Sequence, residues 1–166
     1  QYWAAGLKMG RDNPLTGVGM DSYGNYYRLD RSEYAATVLP GPHTVTNAAH
    51  NVVIDVFAYG GFPMLISYLA ILIIGIFAIL KVTVRQRAYD GTFVALATTW
   101  LAYELQSVIS INQIGLAIWG WVLVGALVAY EYSTRPKLEN ENKIKVSKQK
   151  ELVFSPQLVG GIGVVI

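Results

Sequence analysis

His50 and Asn51 are the adjacent residues whose side chains are best suited to chemistry in this chain. A neutral imidazole takes a proton from a hydroxyl near neutral pH, because histidine ordinarily has a pKa of about 6.5. An asparagine beside it orients a substrate or forms a hydrogen bond to a sugar. The alternative is a histidine at the start of a helix that only caps the helix and faces solvent. The pair lies where a polar segment meets an apolar one, which favours His50 as a base acting near a lipid headgroup.

Three arginines lie in the same polar part of the chain: Arg11, Arg28 and Arg31. A guanidinium group matches phosphate oxygens in bidentate fashion, so each arginine is a candidate contact to a bound anion. Local ion pairing is the alternative, because each arginine has an acidic residue within two positions of it.

Gly17-Val18-Gly19 is a further feature that could meet a phosphate, since glycines at a helix start expose backbone N–H groups. Asp21 brings negative charge to the same place, however. A plain turn is therefore the favoured interpretation.

Aromatic side chains are frequent near the start of the chain, at Tyr2, Trp3, Tyr23, Tyr26, Tyr27 and Tyr34. Such rings stack on sugars or lie at the interface between water and lipid. The interface is favoured for most of them, and Tyr27 is a candidate substrate contact.

Glu104 is the only charged residue between Gly91 and Tyr130. Placing a carboxylate in a membrane-spanning segment costs free energy, so its side chain must face a polar partner or water. Helix packing through polar contacts and the lining of a substrate cavity are equally consistent with this position.

The elements that position these residues begin with a polar part, residues 1–61, expected to form short helices and loops. A helix over residues 1–10 should break before Pro14. A second should begin at Asp21 or Ser22 and run through Tyr27.

The helix predicted to carry the candidate active site covers residues 47–60, with Asn47 as its N-cap. It follows a rigid loop at Pro40-Gly41-Pro42. Gly60-Gly61-Phe62-Pro63 should kink the helix where it enters the membrane.

The remainder of the chain predicts membrane-spanning helices. Only 14% of the residues are charged and 53% are hydrophobic, whereas soluble domains carry about a quarter charged residues. Three segments approach the ~20 residues needed to cross a bilayer: residues 62–81, 91–110 and 114–132. The predicted fold class is all-α, a polytopic transmembrane protein.

Basic links set the orientation of these spans, because loops rich in Lys and Arg stay in the cytoplasm. Lys81, Arg85 and Arg87 follow the first span, and residues 133–153 form a charged linker rich in lysine. Both are expected inside, so residues 1–61 are expected outside. Residues 154–166 are expected to begin a truncated further span, and the chain is interpreted as an internal piece of a longer protein.

Composition also excludes several classes. A net charge of +2 without a basic patch among aromatic residues argues against nucleic-acid binding. The absence of cysteine excludes disulfides and thiolate metal sites. No metal-binding motif, phosphate-binding P-loop or Ser-His-Asp arrangement is present in the sequence.

Several short motifs occur in a distinctive order: Tyr2-Trp3, Gly6-Leu7, Asp12-Asn13-Pro14-Leu15, Gly17-Val18-Gly19, His50-Asn51, Gly60-Gly61-x-Pro63 and Ser110-Ile111-Asn112-Gln113-x-Gly115-Leu116. Over residues 1–132 this order resembles the O-antigen ligase and polymerase family, with the first motifs opening its large periplasmic loop. Two departures are the family arginine, expected before Gln1, and Tyr59, where an acidic residue is usual. Arg11, Arg28 and Arg31 therefore do not inherit the role of that arginine.

The resemblance implies a glycosyltransferase of the cytoplasmic (inner) membrane that acts in cell-envelope or lipopolysaccharide biosynthesis. Its glycan donor would be carried on undecaprenyl diphosphate, and its acceptor would be a lipid, a glycan or a protein. His50 would match the loop histidine important for transfer. Asn51 would orient the substrate or bind a sugar, Arg28 and Arg31 would contact phosphate, and no metal or cofactor would be needed.

Three alternatives stay open at this point. The chain could be a polymerase of the same family, which would use the same glycan donor. It could belong to a transporter or flippase in which Glu104 marks a pathway. It could also be a non-catalytic membrane subunit.

Overall fold

A computed structural model describes residues 1–38, 43–86 and 88–136. This part contains six helices and no strand, which confirms the all-α class: α1 Tyr2–Asp12, α2 Tyr23–Asp30, α3 Glu33–Thr37, α4 Val52–Arg85, α5 Gly91–Ser107 and α6 Ile114–Ser133. All six helices belong to one unit, Gln1–Ser133. The predicted rigid loop at residues 40–42, the linker beyond residue 136 and the truncated span at residues 154–166 lie outside the described residues.

The polar first part folds around α1, which packs on α2 and on the first turns of α4. Lys8 ties α1 to α2, because its ammonium group donates to Asp12 on its own helix and to Asp30. Below this surface pair lies a buried cluster formed by Ala5, Met9, Tyr23, Tyr27, Ala49 and Ala58. The short helices therefore share an apolar core, which gives each of them tertiary support that its length alone does not supply.

Helix α4 is broken at Gly61, whose φ of 61° and ψ of −157° are not helical. The predicted kink is thereby confirmed. Pro63 has no N–H to donate to the carbonyl of Tyr59, four residues before it. The turn at Gly61 also directs the N–H of Phe62 away from the carbonyl of Ala58. Two helical carbonyls consequently need other hydrogen-bond donors.

The segment after α1 supplies those donors. It runs along the break, close enough that a Cβ on Gly61 would lie 2.3 Å from the carbonyl oxygen of Pro14. Three backbone hydrogen bonds join the two segments: Val18 N–H to Ala58 O (2.8 Å), Gly19 N–H to Tyr59 O (3.1 Å) and Phe62 N–H to Pro14 O (2.8 Å). The break is thus satisfied by tertiary contacts, and they fix the first turns of α4 against the rest of the polar part.

The second half of α4 packs with α5 and α6 around a separate apolar cluster: Ala78, Val82, Phe93, Ala97, Trp100, Val124 and Leu127. Helices α4 and α6 are long and apolar enough to cross a membrane, whereas α5, with 17 residues, is shorter. In their most apolar windows, 11% of α4 and 22% of α6 are buried. These two helices therefore turn most of their apolar surface outward.

The end of these helices that lies away from the polar part is held together by polar side chains. Arg85 at the end of α4 forms an ion pair with Glu131 of α6, with Nη1 3.2 Å from Oε1. Tyr130 donates a hydrogen bond to Asp90, the N-cap of α5. All three apolar helices are thereby joined at that end.

Candidate functional site

His50 is half-buried in a turn of backbone directly before α4, between the buried residues Ala49 and Asn51. The helix begins at Val52, and its N-cap is Asn51, whose Oδ1 accepts a hydrogen bond from the N–H of Ile54 at 3.1 Å. The prediction of Asn47 as N-cap was therefore wrong, since residues 47–50 are not helical. Asn51 itself is buried, with 6% of its surface exposed.

The backbone of His50 adopts a φ of 60°, in the left-handed region. Few residues other than glycine take this conformation, although histidine does so more often than most. Such strain persists where surrounding contacts enforce it, and it is frequent at functional sites. The conformation turns the chain sharply just before the helix and leaves the His50 side chain partly exposed.

A hydrogen bond defines which ring nitrogen of His50 can act as a base. Nδ1 lies 3.2 Å from the carbonyl oxygen of Ala48. A carbonyl oxygen only accepts, so Nδ1 must carry the hydrogen in this contact. The neutral ring then has its lone pair on Nε2.

The buried side chain of Asp55 holds the same turn through a hydrogen bond. Its Oδ1 accepts a hydrogen bond from the N–H of Ala49 at 2.6 Å, and only 3% of its surface is exposed. Burial raises the pKa of Asp55 to about 6, while the Ala49 N–H and the nearby His50 oppose that rise. This carboxyl precedes the break at Gly61, outside the apolar span. It lies in the first turn of α4, where a negative charge is favourable, and no role was predicted for it from the sequence.

Two tyrosines extend the site on one side of His50. The ring of Tyr2 stacks on the imidazole, with centroids 5.3 Å apart, and its other neighbour is Tyr27 at 5.6 Å. The Tyr27 hydroxyl is buried and has no hydrogen-bond partner among the described residues. Burial is also the main cause that raises the pKa of Tyr27, while Arg31 lowers it. The structure thus brings three of the predicted site residues, His50, Tyr27 and Arg31, into one region.

The three candidate arginines have different surroundings. Arg31 donates from Nη1 to the carbonyl oxygen of Thr44 at 3.3 Å, which ties it to the chain leading to His50. Arg28 is exposed on α2. Arg11 is exposed at the far end of α1 from Tyr2, about 13 Å along the axis at ~1.5 Å per residue. Arg31 therefore contacts the segment that leads to His50, whereas Arg11 and Arg28 are exposed on their helices.

Gly17-Val18-Gly19 follows directly on a turn at residues 14–16 and bends at Val18, which agrees with the favoured interpretation of a turn region. Its three N–H groups donate to backbone carbonyls of Asn13, Ala58 and Tyr59, respectively. None of the three is directed to a ligand, so the phosphate-binding alternative is excluded for this segment.

A shallow groove joins the start of α4 to the turn between α5 and α6. Val52, next to Asn51, lines it together with Gln106, Ser107, Ser110, Ile111 and Asn112. These polar residues thus lie at the same end of the apolar helices as His50.

No family model, curated protein or solved structure matches this chain.

Proposed function

We propose that the chain is the catalytic part of an O-antigen ligase-like membrane glycosyltransferase. It moves a glycan from an undecaprenyl-diphosphate carrier to an acceptor hydroxyl, with His50 as general base. The observation that carries the proposal is the contact of His50 Nδ1 with the Ala48 carbonyl, because it reserves the Nε2 lone pair for a substrate proton.

The reaction requires little more than this base and good positioning. The acceptor oxygen attacks the anomeric carbon of the glycan while its proton passes to Nε2 of His50. The bond from the anomeric carbon to the diphosphate oxygen breaks, and the diphosphate departs on its lipid carrier. We assign Arg31, which contacts the segment before His50, to meet the departing charge. Asn51 holds the turn through which His50 is presented.

The polytopic arrangement supports a site at a membrane surface. Helices α4 and α6 pass the length and hydropathy requirements for a span, and α5 lies between them in the chain. We assign three spans, with residues 1–61 on the periplasmic or extracellular side and the basic links in the cytoplasm. The lipid-linked substrate would then reach His50 from the outer leaflet.

Replacement of His50 by Ala in the full-length protein tests the proposal. We expect transfer from a lipid-linked glycan to fall by at least ~100-fold, as for the loss of a general base. His43→Ala is the matched control, because His43 is an exposed histidine of the same polar part. Unchanged product with His50→Ala, at equal expression, would contradict the assignment of the base.

A transporter or flippase is distinguished by a second measurement. The purified protein, supplied with lipid-linked glycan and acceptor but no ion gradient, should form product. A protein that moves the lipid across the bilayer without breaking the sugar–diphosphate bond would be a flippase. Ligase and polymerase differ in the acceptor that receives the glycan.

A further inference from the structure

A cleft lies among the three apolar helices. One carboxylate and four aromatic rings line it. The carboxylate is that of Glu104, one turn before the end of α5. All three helices contribute aromatic residues around it, and Asn112 comes from the connection between α5 and α6: Tyr68, Trp100, Tyr103, Trp121 and Asn112. His50 does not line this cleft, although Tyr103 and Asn112 line both the cleft and the groove beside Val52.

Glu104 has no cationic partner in the described part of the chain. Its hydrogen-bonding neighbours are the neutral side chains of Tyr68, Ser107 and Trp100, with the Tyr68 hydroxyl 3.3 Å from Oε2. The ion pairs of residues 1–38, 43–86 and 88–136 involve Lys8 and Arg85. Neither residues 56–80 nor residues 91–130 contain a lysine or an arginine. A carboxylate in such apolar surroundings is stable only with a proton or a bound cation.

The surrounding rings are held in place by close packing. The ring of Tyr68 meets that of Trp121 edge to face, with centroids 6.3 Å apart. Trp100 is 1% exposed. A Cβ on Gly120 would lie 2.3 Å from the ring of Tyr103, so that ring rests directly on α6. The Tyr103 hydroxyl in turn donates to Oδ1 of Asn112 at 3.4 Å.

The chemistry of this lining selects among ligands. A phosphate would be repelled by Glu104. Hard metal cations prefer six or more oxygen ligands, and no group of three His, Cys, Asp or Glu side chains lies together in the described residues. Aromatic ring faces attract organic cations, and more strongly where water is displaced.

We infer that this cleft binds a primary ammonium group attached to an apolar chain, with Glu104 as its counter-ion. The oxygens of Tyr68 and Asn112 accept N–H hydrogen bonds, which favours a primary ammonium over a quaternary one. An aminophospholipid headgroup and a free alkylamine present the same group. The inference does not depend on glycan transfer.

Titration of the full-length protein with octylammonium in a maltoside detergent tests it. Trp100 and Trp121 line the cleft, so tryptophan fluorescence reports occupancy. We expect a saturable change in the wild-type protein and at least a tenfold weaker Kd for Glu104→Gln. Tyr68→Phe, which keeps the ring and removes one hydrogen bond, should weaken binding severalfold. Glu33→Gln, at an exposed glutamate of α3, should bind as the wild type does.

Two results would overturn the inference: equal binding of octylammonium to the wild type and Glu104→Gln, or an equal response to uncharged octanol. A separate arm identifies the natural source of the ammonium group. Addition of phosphatidylethanolamine to the micelles should raise the apparent Kd of octylammonium if the lipid headgroup occupies the cleft. An unchanged Kd would assign the site to a soluble amine.

Discussion

The ring of Tyr2 stacks on the imidazole of His50, with 24° between the two ring planes. Tyr2 is held in turn from α2, because its carbonyl oxygen accepts a hydrogen bond from the Tyr23 hydroxyl at 2.6 Å. The plane of the candidate base is thus fixed by the first residue of α1, far from it in sequence. The packing of α1 against α4 is therefore part of the site.

The first prediction concerns this stack. Tyr2→Ala should lower the rate of glycan transfer by severalfold to about tenfold. A stacked ring pair is worth about 0.5–1.5 kcal/mol, and losing that free energy from the oriented state of His50 slows the reaction by a corresponding factor. Tyr2→Phe should keep the rate within about twofold of the wild type, since the ring remains. Tyr26→Ala, at a tyrosine that is 38% exposed on α2, is the control. A wild-type rate in Tyr2→Ala would show that the stack does not position His50.

The second prediction concerns the pH dependence contributed by Asp55. Burial raises its pKa from 3.8 to about 6 in the folded protein. Between these values the folded state binds more protons than the unfolded state, so stability falls as pH rises through this window. The loss amounts to roughly 3 kcal/mol at most, at about 1.4 kcal/mol per pKa unit.

Asp55→Asn isolates this contribution, because its amide oxygen can still accept from the Ala49 N–H. The melting temperature of the wild type relative to Asp55→Asn should fall from pH 4 to pH 7. A difference that stays constant across that range would show that Asp55 does not carry the raised pKa. Titrating groups that do not interact with Asp55 cancel in the comparison.

The sequence was sufficient for the elements that depend on local patterning. The all-α class followed from long apolar runs, and the break at Gly61 followed from adjacent glycines next to Pro63. His50 and Tyr27 were selected by residue type and position, and the structure places both beside Tyr2.

Features that depend on pairing between distant segments were not predictable. Asn47 and Asn51 are equally good N-caps by residue type. In the structure the helix begins after Asn51, and the Ala49 N–H donates to Asp55 in the first turn of that helix. Val18 and Gly19 donate backbone hydrogen bonds to the carbonyls of Ala58 and Tyr59, which have no helical donor because of the break next to Pro63. No local sequence pattern indicates these bonds. The grouping of four rings around Glu104 likewise needs three helices in register.

The third prediction concerns the break in α4. Gly61→Ala should destabilise the fold by at least ~2 kcal/mol, because alanine is strained at a positive φ and its Cβ would lie 2.3 Å from the carbonyl oxygen of Pro14. Gly125→Ala is the matched control in α6, where a Cβ meets nothing within 4 Å. Thermal unfolding should separate the two variants. Equal melting temperatures would mean that the segment around Pro14 is not docked on the break.

The last prediction separates two roles of Asn51. Its side-chain oxygen caps α4, so Asn51→Ala should lower stability by about 1 kcal/mol. Serine is an equally good N-cap, and Asn51→Ser should restore the melting temperature. It lacks the side-chain amide that the sequence predicts to orient the substrate, however, so its rate of glycan transfer should remain low. Asn51→Ser with both wild-type stability and wild-type transfer would show that Asn51 acts only as the helix cap, and His50 would then be presented to the substrate without help from its neighbour.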